Sequence, residues 1–140
     1  MIDPRASYIG FLDGFKAANM PKVVNAFKSK MPLMLRYIDS IQSILSQGDY
    51  DGKDVVIEKT TEIKNGIISG FDSIDSMRVF AEKLSKYIEI FVERYPFKKK
   101  EISKDIKNIA FTFMLITSDS RDDELIDAAI NMGAYIKGNL

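Results

Sequence analysis

The chain has 140 residues, the size of one domain, and 46% of them are apolar, enough to bury a core rather than stay disordered. Its charges balance to zero, so a uniformly basic coat for nucleic acid is not the overall picture. It has no cysteine and no histidine, which excludes disulfides, thiolate nucleophiles, Ser-His-Asp triads and Cys/His zinc sites.

The hydrophobic spacing is helical throughout. Asp3-Pro4 reads as a helix start, a capping acid followed by proline where its missing N–H costs nothing. Tyr8, Phe11, Leu12 and Phe15 line one face of that helix. Asn19 to Pro21 reads as a break, followed by a short helix carrying Val23, Val24 and Phe27. Pro32 opens a third helix, whose Leu33, Met34, Tyr37, Ile38, Ile41, Ile44 and Leu45 give a broad buried face. Lys53 to Phe71 carries Val56, Ile63, Ile67 and Ile68; its opening Val-Val-Ile would suit a short strand, but no partner strand is evident.

The clearest helix follows, capped by Asp72 or Asp75. Met77, Phe80, Leu84, Tyr87 and Phe91 recur three and four apart, Ile88 and Tyr95 widen the stripe, and Glu82 and Lys86 pair outside it. Pro96 ends it. Another helix is expected from about Glu101 to Thr117, with Ile102, Ile106, Ile109, Ala110 and Phe113 facing one way. Nearly every residue beyond Ile109 is apolar, so this helix is expected to be central and the most buried. Ser120 is the expected cap of the last helix, with Asp122, Asp123 and Glu124 at its positive end; Leu125, Ile126, Ala129, Ile130 and Met132 form its core face. The expectation is a single all-α domain over residues 1–140, a bundle of five to seven helices.

Three polar features carry candidate chemistry. The stretch GDYDGKD, residues 48–54, resembles an EF-hand loop over twelve positions: Asp49, Asp51 and Glu58 fall on ligand positions around Gly52. However, Gln47 stands where the first aspartate belongs, Asp54 stands where an apolar residue belongs, and no second loop exists to pair with it. Aspartate and glycine also favour tight turns, so a helix connector with solvated carboxylates is the expected reading. In RYPFKKKEISKDIK, the cations Arg94, Lys98, Lys99, Lys100, Lys104 and Lys107 surround Tyr95 and Phe97. Such a face could neutralise phosphates while the aromatics stack on bases; the plainer reading is a solvated helix start. In SDSRDDE, residues 118–124, the carboxylates sit where a helix begins, and capping accounts for them.

Charge is also segregated along the chain. Residues 1–47 carry a net +3, 48–75 a net −4, 76–108 a net +4 and 109–140 a net −3. Separate acidic and basic surfaces would let copies associate acid to base. Gly10–Phe15 and Gly66–Phe71 share G-x-x-x-G-F, a spacing that lets helix backbones approach closely. The longest nearly apolar stretch, Ile109 to Thr117, is too short for a bilayer, which needs about 20 residues. The N-terminus, with an acid at position 3, does not resemble a signal peptide, so a cytoplasmic protein is expected. Nothing points to a cofactor or a small-molecule substrate. The expected function is a non-enzymatic helical interaction or assembly module that binds a protein partner or itself as a homo-oligomer. The alternative is a small nucleic-acid-associated subunit contacting phosphates through the cluster around Lys98–Lys107.

Overall fold

The computed structural model describes the backbone of residues 4–140 apart from Asp72 and Asp119. Side chains are described from Pro21 onward, except those of Asp72, Phe97, Lys99 and Asp119. The expected Asp3 cap, the face from Tyr8 to Phe15 and the first G-x-x-x-G-F stretch lie outside these side chains. Five helices, and no strand among the described residues, make up the chain: α1 (Pro4–Leu45), α2 (Lys53–Ser69), α3 (Ile74–Glu93), α4 (Pro96–Ser118) and α5 (Asp123–Asn139). The all-α bundle is therefore observed, at the low end of the expected helix number. Val-Val-Ile lies inside α2 and is not a strand. No helix among the described residues is long and apolar enough to cross a membrane.

The expected breaks at Asn19–Pro21 and Pro32 do not occur. A single helix of 42 residues, about 63 Å long at 1.5 Å per residue, runs through both prolines. A proline inside a helix loses one hydrogen bond and crowds the carbonyl four residues earlier. Here Pro21 and Pro32 are eleven residues apart, three turns, so they share one side, and both are exposed. Water can take up the freed carbonyls there. The opposite side stays continuous, with Val23, Phe27, Met34, Ile38, Ile41 and Leu45 all buried.

α1 packs mainly against α4 and α2, while α5 covers α3 and α4. Four phenylalanines knit the centre together. Phe71, in the α2–α3 connection, lies 4.2 Å from Phe27, 5.2 Å from Phe80 and 5.9 Å from Phe113, centroid to centroid. Gly66 of the second G-x-x-x-G-F stretch lets the Phe80 ring sit against α2 where a Cβ would collide with it, and Gly70 ends the helix at φ 69°.

Local chemistry sets the helix ends, at places close to those expected. Ser73 caps α3 by accepting from the Ser76 N–H, and Ser76 returns the bond to the Ser73 N–H, a capping box in place of the expected aspartate cap. Pro96 both ends α3 and opens α4, five residues earlier than expected. Asp122, rather than Ser120, caps α5, accepting from the Leu125 N–H at 3.0 Å. The Ser120 hydroxyl donates to the Thr117 carbonyl instead.

Candidate functional site

The structure brings together two features that are 40 residues apart in sequence. The loop between α1 and α2 docks against the junction between α3 and α4. The Tyr50 hydroxyl donates to the Leu45 carbonyl at 2.6 Å, which folds the tyrosine back onto the bundle. The Lys98 ammonium sits 5.0 Å above the Tyr50 ring. Gly52 precedes α2 at φ 81°, a left-handed conformation that suits glycine, and a Cβ there would run into the Tyr95 hydroxyl. Burial raises the Tyr50 phenol above its ordinary pKa, and the nearby Tyr95 adds to the shift.

The same geometry gives Tyr50, Gly52 and Lys53 of GDYDGKD their places in the loop. Lys53 donates its ammonium to the Gly48 carbonyl at 2.7 Å and its backbone N–H to the Tyr50 carbonyl, so the loop is closed by its own groups. Asp49, Asp51 and Glu58 are all exposed. Among the described residues, no three acidic side chains converge as a cation would need.

The basic cluster is dispersed. Lys98 is turned inward, its side chain only 13% exposed, and its remaining reach goes to Glu101 at 3.9 Å. Arg94 lies at the end of α3, beside a groove shared with α2 and lined by Lys59, Glu62, Lys86 and Glu93, where acidic and basic groups alternate. Lys100, Lys104 and Lys107 remain together on the outward side of α4, the first two exposed and the third half-exposed. The side chain of Lys99 lies outside the described residues, as does that of Phe97.

The acidic segment is split as well. Asp122 is fully buried and receives two bonds from Arg78 of α3, 2.6 Å from Nη2 and 3.2 Å from Nε. Asp75 and Glu124 each approach the same guanidinium at 3.2 Å. The Asp122 bond, above all, raises the Arg78 pKa beyond its ordinary value. One carboxylate thus caps α5 and pins it to α3. The capping role is legible in the sequence, but the arginine 44 residues away is not.

The feature that sequence reasoning missed is an exposed apolar surface on α4 and α5. Phe111 is 47% exposed, Leu115 70% and Ile130 63%, and Met114 and Ile126 of the same two helices are half-buried. Phe111 and Leu115 fall in the stretch expected to be the most buried, and Ile126 and Ile130 were expected in the core. The correction follows from the packing. α4 buries one stripe, Ile102, Ile106, Ile109, Ala110, Phe113 and Ile116, and residues 111 and 115 lie on the far side of the helix. α5 packs mainly against α3 and α4, and its buried stripe is narrow: Leu125, Ala129, Met132 and Ile136. The signal available in the sequence was an excess of apolar residues over what one stripe needs. No family profile, characterised protein or solved structure matches this chain.

Proposed function

We propose that this chain is a non-enzymatic helical assembly module that binds protein partners through the outward face of α4 and α5, a second copy of itself among them. The observation that carries this reading is the group Phe111, Leu115 and Ile130. Single exposed apolar residues are ordinary, but three large ones gathered across two adjacent helices are the kind of surface that protein contacts cover. The chemistry on the page supports the same choice. Asp122 and Glu124 of the acidic segment are engaged in capping and in the Arg78 contact, and the groove between α2 and α3 alternates in charge instead of converging on one reacting position.

A nucleic-acid role is the second reading. Lys100, Lys104 and Lys107 still share one side of α4, but it has lost Lys98 to Tyr50 and Glu101 and Arg94 to another face. Sedimentation equilibrium across a range of concentration and ionic strength tests the proposal. A mass above that of the 15.9 kDa chain, falling as salt rises, is the expected result. A chain that stays monomeric throughout, and that binds labelled oligonucleotides with a steep salt dependence, would reverse the order of the two readings.

A further inference from the structure

The α4–α5 face is ordered along its length, and that order selects an occupant. The two helices run antiparallel, with Met114 of α4 packed over Gly133 of α5 and Ser103 beside the Leu140 carbonyl at 3.5 Å. This register sets Leu115 level with Ile130 and makes the apolar group the middle of the face. At 1.5 Å per residue, Lys107 and Lys137 lie about 10 Å from that middle toward one end, and Lys104 and Lys100 extend the basic end beyond them. Asp127 and Asp123 lie about 6 and 12 Å from it toward the other end. Lys137, Asp123 and Asp127 are exposed and Lys107 is half-exposed, and among the described residues none of the four is held in an ion pair.

A two-fold interface uses the same patch on both copies, so the patch has to be complementary to itself. A face that runs from basic through apolar to acidic meets that condition. A two-fold axis lying in the interface and running across the helices, through the apolar middle, sets the group Phe111, Leu115 and Ile130 over the same group of the other copy and each basic end over the other copy's acidic end. A uniformly charged face, or one with like charges at both ends, would not. We propose that the partner of the α4–α5 face is a second copy of this chain, packed hairpin on hairpin about a two-fold axis into an intermolecular four-helix arrangement. This rests on the self-association reading above and specifies its surface and symmetry. The 17 residues of α5 give a face about 25 Å long and two helices wide, a small footprint that suits a reversible, concentration-dependent dimer.

Charge reversal at each end provides the test. Lys104→Glu, Lys107→Glu and Lys137→Glu together leave only Lys100 at the basic end and make both ends acidic, and Asp123→Lys with Asp127→Lys makes both ends basic. Four of these five sites are exposed and Lys107 is half-buried, and circular dichroism checks that each variant keeps its helix content. Each variant alone is expected to dimerise at least about tenfold more weakly than the parent chain. Mixed in equal amounts, the two should form a heterodimer tighter than either homodimer, because both ends then match. A third variant, Leu115→Lys, should weaken dimerisation at least as much. If the parent chain dimerises but none of these substitutions moves the equilibrium, the α4–α5 interface is overturned while self-association stands. If the variants weaken association but the mixture does not restore it, the two-fold arrangement is overturned. A parent chain that is monomeric at the highest concentration reachable overturns both.

Discussion

The buried contact between Thr60 and Tyr87 predicts an asymmetric mutational cycle. The Thr60 hydroxyl lies 2.8 Å from the Val56 carbonyl, which can only accept, so its hydrogen is committed there. At the 2.6 Å contact with Tyr87, Thr60 therefore accepts and the Tyr87 hydroxyl donates. Thr60 is fully buried and Tyr87 is 3% exposed, so water cannot replace a lost partner without a structural adjustment. Thr60→Val keeps the side-chain shape but strands the phenol donor, at a cost of about 1–3 kcal/mol. Tyr87→Phe removes the donor and leaves Thr60 still bonded to Val56, costing about 0.5–1.5 kcal/mol. In the double variant both groups are apolar and nothing is stranded. It should be more stable than Thr60→Val alone by about 1 kcal/mol, or roughly 3–5 °C in Tm for a chain of this size. Urea unfolding followed at 222 nm, with unchanged m-values, measures all three. If Tyr87→Phe costs more than Thr60→Val, or the double variant shows the sum of the two losses, the donor assignment is wrong.

Arg78→Met should destabilise by about 2–4 kcal/mol, because it leaves the Asp122 carboxylate buried without its cation. Asp122→Asn should cost less, since asparagine caps a helix as well as aspartate does; thermal denaturation of the two variants compares them directly. Gly52→Ala combines a left-handed backbone with a collision against the Tyr95 hydroxyl, and a loss of about 1–3 kcal/mol in chemical denaturation is expected. Stability should also fall in alkali. Burial raises the phenol pKa of Tyr50, Tyr87 and Tyr135 above the ordinary value near 10, so the folded chain holds these protons more tightly than the unfolded chain. That contribution is complete below pH 10 and is lost as the pH rises toward the folded-state values. Tyr87→Phe should flatten the fall in Tm above pH 10, because Tyr87 is the most deeply buried of the three.

Periodicity made the core of this protein legible, and non-local contacts hid the rest. Met77, Phe80, Leu84, Tyr87 and Phe91 are spaced for one face and are all buried. The prolines of α1 misled because a local rule says that proline stops a helix, while the register that puts both on the solvent side depends on where α2 and α4 pack. Phe111, Leu115, Ile126 and Ile130 misled for the opposite reason: an apolar residue in an apolar run is assigned to the core, and only the number of neighbouring helices shows that the core is already full. The candidate sites depended even more on tertiary placement. Lys98 belongs to a basic run in the sequence and to the Tyr50 ring in space. Asp122 sits beside Asp123 in the chain, yet one is fully buried against Arg78 and the other is exposed.

The uninterrupted length of α1 has a consequence for how the chain reaches its fold. Its most extensive partner is α4, and the Ser40 hydroxyl that donates to Asp105 at 2.9 Å spans 65 residues. α2 follows directly and can cover one flank of α1 early, with Lys64 reaching Asp39 and Gln42 reaching Thr61. The other flank closes only when α4 is available, after a long loop has been brought together at an entropic cost. Contacts at such separations slow folding compared with a bundle of neighbours only. During synthesis, the stripe of α1 that receives α4 emerges well before its cover, and α5, which leans on α3 and α4, emerges after both.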